Sequence, residues 1–500
     1  MAIGAAATFV GQGVKAAVLI GGQLALTRLL SPGDFGLVAM VAPVLALVQV
    51  FADLGLSQAI IQRAQINQAQ LTSLFWRTLV ITCGLSAAVA LTSPAIAWAY
   101  GEARVIPLTA ALAILIVISG MTMQQSAILA RNFRFGCLAL VDSLAPAAAV
   151  AAALGAAIAG GGVWSLIVLQ LVQSTVTLML TWAFSPWRPS PPKIDGSDLE
   201  LMRLGGHQAG FNLSQFLTTS VDNILIGLVN GKVALGFYDR AYIVVTQPAG
   251  MLLLPLNRFA IPVLSRLTAN PDRYRAIHSA MLQTGIFLVA PGMLFGALFA
   301  DQLIPLALGK DWAAVVPIFR WLCMGALASP VYASAAWLFV SQGLGARQLK
   351  FGVAVAMLNI LSFGIGIFWG PVGVAACSAI CFTLIQAPLI CWAATREGPV
   401  RFIDVADALA PMFAGGFAVV VVGNYALTTL SRSAWSLIGC GLAAYILYLL
   451  TTLLFPQFRT ATRNLYMLLG VQSDLTALTL QPDGRTPHTV ARKRQSRARL

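Results

Sequence analysis

Apolar runs of about 20 residues recur almost from end to end of this chain, and they limit its fold more than any other feature. Only 10% of its residues are charged, whereas soluble domains carry about 25%. Because lipid offers backbone groups no partner, each run must form a helix or join a closed barrel. The runs are much longer than the roughly 9 to 11 residues of a barrel strand. The sequence therefore predicts an all-α, polytopic membrane protein without a soluble catalytic domain.

Hydropathy along the chain predicts about fourteen transmembrane helices. Short Gly/Pro junctions near residues 160 and 370 leave the merging of neighbouring spans open. The N-terminal run lacks a basic region and a clear cleavage site, so we interpret it as a retained first span. The predicted spans are residues 5–27, 35–58, 76–99, 105–128, 136–159, 162–184, 205–229, 233–256, 278–300, 314–340, 349–369, 371–394, 407–429 and 434–455.

Lysine and arginine are distributed unequally between alternate loops. The loops after even-numbered spans contain 15 of the 31 basic residues and the C-terminal tail contains 8, whereas the other loops and helix ends contain 7. Basic residues accumulate in cytoplasmic loops, which places both termini in the cytoplasm. The net charge of +14 is then mainly a topology signal, so we expect no nucleic-acid partner. The basic tail is expected either to meet the anionic inner leaflet or to be simply solvated.

Residues that could support catalysis or metal binding are scattered along the chain. All seven cysteines fall within apolar runs, where they are expected to act as small packing residues. His207, His278 and His488 have no acid or nucleophile at a useful spacing. The chain contains no GxxxxGK[ST] phosphate-binding motif. We therefore expect no enzyme activity, no metal and no cofactor, and an ion or substrate gradient as the energy source.

Polar residues in the first and seventh predicted spans repeat at a constant offset of 200 residues. Within each span they lie on one helical face. The same offset pairs Gly36 with Gly236 in the loops that follow. The polar pairs are Thr8 with Gln208, Gln12 with Asn212, and Lys15 with Gln215.

Six spans separate the two copies of this pattern, so the copies have the same orientation. Two such bundles are typical of transporters, in which the substrate binds between the halves near mid-membrane. The predicted units are an N-terminal lobe (1–200), a C-terminal lobe (201–400), two further spans (401–456) and a basic cytoplasmic tail (457–500).

Asp222 continues the polar stripe of span 7, beyond Thr219, in a segment otherwise typical of a membrane helix. A carboxylate that faces lipid costs roughly 2.5 to 3.5 kcal/mol, so we expect Asp222 to line an aqueous cleft between the lobes. The alternative is that it caps or pairs with a neighbouring helix. Asp222 lies seven residues beyond Gln215, which places it about 10 Å further toward the outside.

Four stretches carry a resemblance to a known family. They are "LLSPGDFGLVAM" with "FADLGLSQAIIQR" and "SLFW"; "ARNFRFGCLALVDSLA" leading to "GGGVWSL"; "VDNILIGLVNGKVALGFYDRAY" leading to "LSRL"; and "LIPLALGKDWAAVVPIFRWL". Together they resemble the polysaccharide flippases of the multidrug, oligosaccharidyl-lipid and polysaccharide (MOP) superfamily, in the branch of exopolysaccharide and colanic-acid exporters. The resemblance extends from about residue 8 to 350, and residues 350–455 match only in hydropathy.

The resemblance implies a bacterial inner-membrane protein that flips polyprenyl-diphosphate-linked oligosaccharide repeat units from the cytoplasmic to the periplasmic face. It implies two lobes that alternate between inward-open and outward-open states. It also implies a role in exopolysaccharide or lipopolysaccharide biosynthesis, with the polysaccharide polymerase and chain-length machinery as partners.

A substrate of this kind needs a cation for its diphosphate and hydrogen-bonding side chains for its sugars. Lys15 is the expected cation, although snorkelling or pairing with a carboxylate would also explain it. The expected substrate-binding residues, for several of which helix packing is an equal alternative, are Lys15, Gln12, Asn212, Gln215, Thr219 and Asp222. The expected gate or ion-pair residues are Asp53, Asp142, Asp239, Arg240 and Arg258.

Two other functions stay open on the sequence. A multidrug or small-solute cation antiporter of the same architecture would use a lone carboxylate for coupling. A membrane polysaccharide polymerase would need a large outer loop with catalytic groups, whereas the longest predicted outer loop, residues 301–313, is short.

Overall fold

The computed structural model describes residues 18, 20–53, 60, 67–132, 134–191, 199–429 and 434–455. Every regular element in these ranges is helical, which confirms the predicted fold class. Within the described ranges, ten stretches are long and apolar enough to cross a membrane, and two of them contain 46 and 51 residues. At 1.5 Å per residue each of these two would extend about 70 Å, more than twice the hydrocarbon core, so each contains two crossings. The total of fourteen spans stays a prediction.

In the described part of the first half, five helices follow the helical residues 20–29. Asn67 caps the second of them through a capping box with Gln70, and Gly101, at φ 64°, ends it in the left-handed conformation. The next helix packs against it as its neighbour across the short 101–104 turn. The helices are α1 (Pro32–Asp53), α2 (Gln68–Tyr100), α3 (Val105–Arg131), α4 (Phe135–Ile158) and α5 (Trp164–Phe184).

Helix α6 (Leu199–Ser265) consists of two arms that meet at Gly231, where φ is 78° and ψ is 179°. Only glycine adopts this backbone conformation without strain. The hydroxyl of Tyr238 reaches the carboxylate of Asp222 at 2.9 Å, although 16 residues of straight helix would separate them by about 24 Å. The chain therefore folds back on itself at Gly231, and the two arms pack as neighbours.

The rest of the second half is built from shorter helices. One buried cluster joins α1, α3 and α6 to the helix that begins at Val315, and a second lies within the second half. We call the side of the bundle that contains the turn at Gly231 the Gly231 end, and the other side the opposite end. The helices are α7 (Pro271–Leu298), α8 (Ala300–Ala307), α9 (Val315–Ala326), α10 (Ser329–Ser341), α11 (Gly345–Gly366), α12 (Gly370–Ile380), a π-helical turn (Cys381–Gln386), α13 (Ala387–Thr395), α14 (Phe402–Thr429) and α15 (Ala434–Leu453).

Candidate functional site

The two halves meet most closely where α1 crosses the second arm of α6 at the Gly231 end. A methyl group on Gly36 would lie 2.6 Å from the carbonyl carbon of Lys232 and would overlap its oxygen. Reciprocally, a methyl group on Gly236 would lie 2.9 Å from the carbonyl carbon of Pro32. Both glycines and both carbonyl groups are related by the offset of 200 residues that the sequence suggested. The crossing is thus reciprocal, and each half contributes a glycine that lets the other backbone approach.

Aromatic and polar contacts surround this glycine crossing. Trp312, which is 1% exposed, donates its indole N–H to the carbonyl oxygen of Thr27 at 2.8 Å. Its ring meets that of Phe35 edge to face, with centroids 5.4 Å apart. The guanidinium of Arg240 lies 4.5 Å from the centre of the Phe35 ring. Arg28 also donates to the carbonyl oxygen of Leu306. Side chains of each half are therefore fixed against the other half at this end.

An ion pair crosses between the halves beside the same contact. Glu102, in the turn between α2 and α3, accepts hydrogen bonds from Arg104 and from Lys232 of the second half. These hydrogen bonds lower the pKa of the Glu102 carboxyl to about 2, and the bond from Arg104 has the largest effect. The same pairing raises the pKa of Arg104. Glu102 is consequently ionised at neutral pH and holds Lys232 electrostatically.

Asp222 lies in a cavity of about 340 Å³ inside the second half. Its side chain is 3% exposed. One carboxylate oxygen accepts from the Tyr238 hydroxyl at 2.9 Å and the other from the backbone N–H of Asn223 at 2.9 Å. Tyr242 and Thr246, one and two turns beyond Tyr238, also line the cavity. Asp222 is thus a buried carboxylate that accepts hydrogen bonds from a hydroxyl group and from backbone N–H.

The far wall of this cavity contains an irregular stretch of helix. Asn359 and Ser378 line the cavity, and Asn359 accepts a hydrogen bond from the amide of Gln386 at 2.8 Å. Gln386 is fully buried and ends the π-helical turn. Such turns are rare and often mark functional sites. Polar groups from α6, α11 and α12 thus converge on one cavity, and Gln386 of the turn holds one of them, Asn359, by a hydrogen bond.

We expected Asp222 to face the cleft between the lobes. Among the described residues, those that line its cavity belong to the second half. The fold-back at Gly231 brings Tyr238 of the second arm of α6 against Asp222 of the first arm. Sequence reasoning missed Tyr238 and Tyr242, although Tyr238, Tyr242 and Thr246 form a polar stripe at helical spacing of four. A role for Asp222 in substrate contact stays a prediction.

The other predicted substrate-binding residues fall where the structure gives no side-chain detail. Gln12 and Lys15 lie outside the described residues. Asn212, Gln215 and Thr219 lie on the first arm of α6, as expected, but their side chains are outside the described part of the chain. Their roles stay predictions.

The predicted gate residues are separated by the structure. Arg240 pairs with Asp239 at 2.6 Å, with both side chains at most 15% exposed beside the glycine crossing. At the opposite end, Arg258 is exposed and Asp142 is exposed on α4. Asp53 ends α1, and its side chain is outside the described part. Among the predicted gate residues with described side chains, Asp239 and Arg240 thus lie at the contact between the halves.

Two arginines at the opposite end of the bundle donate to backbone carbonyl groups. Arg131 donates to the carbonyl oxygen of Ile60 at 2.7 Å, and Arg134 to that of Phe184 at 3.0 Å. Within the described ranges, no three His, Cys, Asp or Glu side chains come together in a way that could hold a metal ion.

The arrangement of these helices matches solved structures of transporters. The chain is similar to the lipid II flippase MurJ in an inward closed conformation, with a TM-score of 0.72 and 14% identity over 88% of this chain and 97% of that one. It is also similar to an inward-facing multidrug resistance MATE family transporter of the MOP superfamily, with a TM-score of 0.61 and 14% identity over 80% and 99% of the two chains. The fold is therefore like that of these two membrane transporters.

Sequence similarity identifies the family to which the chain belongs. Residues 25–317, more than half of the chain, match the family described as polysaccharide biosynthesis protein, and the chain belongs to this family. It is 23% identical over 347 residues to the lipopolysaccharide biosynthesis protein WzxC of Escherichia coli K12, covering 68% of this chain and 70% of that protein. It is 25% identical to the succinoglycan biosynthesis transport protein ExoT of Rhizobium meliloti, covering 60% of each. The predicted family resemblance is confirmed.

Proposed function

We propose that this protein flips polyprenyl-diphosphate-linked oligosaccharide repeat units from the cytoplasmic to the periplasmic face of the bacterial inner membrane. The family match over residues 25–317 carries the proposal. Relatives named for lipopolysaccharide biosynthesis and succinoglycan transport, together with a fold like that of a lipid II flippase, support it. The substrate crosses without covalent change, so the protein acts as a transporter and not as an enzyme.

In the proposed orientation, the Gly231 end faces the periplasm and the opposite end faces the cytoplasm. The distribution of basic residues between the loops supports this assignment. The glycine crossing, the Trp312 hydrogen bond and the Glu102–Lys232 pair then form a closed outer gate. Labelling of single cysteines from outside intact cells tests the orientation, since position 310 should react and position 131 should not.

In the central cleft, Lys15 binds the substrate diphosphate and the polar side chains of Gln12, Asn212, Gln215 and Thr219 bind its sugars. Lysine offers a compact charge for a phosphate group. The repeated polar stripe of the lobe-initiating spans supports this assignment.

Asp222 couples the cycle to a proton or another cation bound in the cavity of the second half. Its partner Tyr238 lies two residues beyond Gly236 on the same arm of α6. Binding of a cation to the carboxylate would change the Asp222–Tyr238 hydrogen bond and thereby the arm that forms the crossing. The short distance along α6 between Tyr238 and the glycine crossing supports this role.

Gene deletion followed by extraction of polyprenyl-linked glycans tests the function. The deletion strain should accumulate unpolymerised repeat units on the cytoplasmic side, and the intact gene should restore export. Normal export combined with increased drug sensitivity would contradict the proposal and favour the multidrug antiporter.

A further inference from the structure

An apolar groove runs along the outside of the second half, remote from the glycine crossing. It is bounded by α9 and α10, by α12 and α13, and by α14, and has a volume of about 480 Å³. Phe413 and Leu384 at its rim are 70% and 69% exposed. Because α12 and α14 are apolar membrane helices, this rim faces the hydrocarbon of the bilayer. A hydrocarbon chain is therefore the ligand chemistry that fits the groove.

The length of the groove matches one leaflet. On α14 its lining extends from Phe402 to Phe413, which corresponds to about 16 Å of helix. The hydrocarbon core of a bilayer is about 30 Å thick, so the groove covers about half of it. An acyl chain of a phospholipid has this reach, whereas a polyprenyl chain that spans more than one leaflet does not fit within it.

Two arginines lie at the end of the groove next to Phe402. Arg401 directly precedes Phe402, and Arg396 follows the last turn of α13. Both are exposed, and neither guanidinium has a hydrogen bond or ion pair with another described residue. The Arg396 guanidinium lies 5.2 Å from the centre of the Trp392 ring, an arrangement suited to the headgroup level of a membrane. Two positive charges are thus available where a phospholipid headgroup would lie.

Neighbouring acids do not cancel these charges at the groove. Glu397 is paired with Arg347 at 2.5 Å. Asp404 accepts the backbone N–H of Arg401 at 2.8 Å. Asp404 and Asp407 also lie roughly 140 to 200° around α14 from Phe402 and so occupy the face away from the groove. The mouth of the groove is consequently positive.

We propose that this groove binds one anionic glycerophospholipid. An acyl chain lies along α14 between Phe402 and Phe413, and the phosphate contacts the guanidinium groups of Arg396 and Arg401. The site lies outside the path between the lobes and does not depend on the flipping function proposed above.

Native mass spectrometry of the detergent-purified full chain tests the site. The protein is titrated with palmitoyl-oleoyl phosphatidylglycerol and, separately, with the phosphatidylcholine that has the same chains. One phosphatidylglycerol should bind more tightly than phosphatidylcholine. Arg396→Gln with Arg401→Gln should raise its Kd at least about tenfold, since each cation near an anionic lipid contributes about fivefold. Lys350→Gln, which removes another exposed charge at this end of the bundle, should leave the Kd unchanged.

Filling the groove tests the position of the acyl chain. Ala406 is exposed and lines the groove, so Ala406→Phe should weaken binding of both lipids, while Ala87→Phe on the exposed face of α2 should not. If Ala406→Phe does not fold, judged by thermal unfolding and size exclusion, Ala406→Leu takes its place. Equal affinity for the two lipids, or an unchanged Kd in the arginine variant, would overturn the proposal. In a further outcome, undecaprenyl phosphate displaces phosphatidylglycerol and loses its own binding in Ala406→Phe. That result would assign the groove to the carrier lipid and would also overturn the proposal.

Discussion

The glycine crossing makes a specific prediction for Gly36→Ala. The added methyl carbon would lie 2.6 Å from the Lys232 carbonyl carbon, whereas comfortable carbon contacts are about 3.5 to 4.0 Å. The obstacle is backbone, and the Lys232 carbonyl oxygen lies still closer than its carbon, so α1 and α6 must separate by more than about 1 Å. Overpacking of this kind costs about 1 to 3 kcal/mol. The equilibrium between closed and open states should therefore shift toward the open state by about 5- to 150-fold.

Hydrogen–deuterium exchange measures this shift directly. Gly36→Ala should accelerate exchange of amides in residues 100–104 and 230–234, which lie at the closed end. Gly236→Ala should accelerate exchange in the same residues. The double variant should accelerate exchange by less than the two single effects combined, because both methyl groups act on one crossing. Export should fall in parallel, since the outer gate no longer closes.

Gly84→Ala is the matched control for this experiment. Gly84 lies within α2, and a methyl group there would meet nothing within 4 Å. Alanine is also the better helix former, by about 1 kcal/mol, so the control should be neutral or slightly stabilising. Exchange in Gly36→Ala that is indistinguishable from the control, with normal export, would refute the close approach of the two halves.

Three further predictions concern charged side chains. Because its cationic partners lower the pKa of Glu102 to about 2, its contact with Lys232 should be intact at neutral pH and be lost as the pH falls from about 4.5 toward 2; Glu102→Gln should remove this pH dependence of exchange at residues 230–234. Lys15→Ala should abolish export at normal protein level and Lys15→Arg should retain part of it, and normal export by Lys15→Ala would exclude a role in diphosphate binding. Asp222→Asn should slow turnover at least about tenfold with little effect on substrate binding, while Tyr238→Phe should have a smaller effect; equal turnover of both variants and the unmodified protein would contradict coupling through this pair.

Hydropathy was sufficient to predict the helical membrane fold, because lipid leaves so few ways to satisfy a backbone. The offset of 200 residues identified Gly36 and Gly236 as equivalent positions, and the structure brings them into one contact. Because glycine has no side chain, a glycine repeated at equivalent positions indicates a place where another backbone can approach closely.

Long-range partners were less accessible to sequence reasoning. The pairing of Asp222 with Tyr238 depends on the fold-back at Gly231. A hydropathy pattern does not predict how closely two adjacent spans pack. Similarly, Arg131 and Arg134 donate to the backbone carbonyl oxygens of Ile60 and Phe184. Every residue has a backbone carbonyl group, so residue types could not identify these two acceptors.

Reconstitution in liposomes measures whether the protein moves a lipid-linked oligosaccharide across a membrane. Purified protein is placed in liposomes that contain a polyprenyl-diphosphate oligosaccharide in both leaflets, and a membrane-impermeant glycosidase is added outside. With the protein present, nearly all of the sugar should be cleaved, because inner-leaflet substrate reaches the enzyme; liposomes with Lys15→Ala should stop near one half. Cleavage that stops near one half with the unmodified protein, in intact vesicles supplied with an ion gradient, would show that the protein does not transport this substrate.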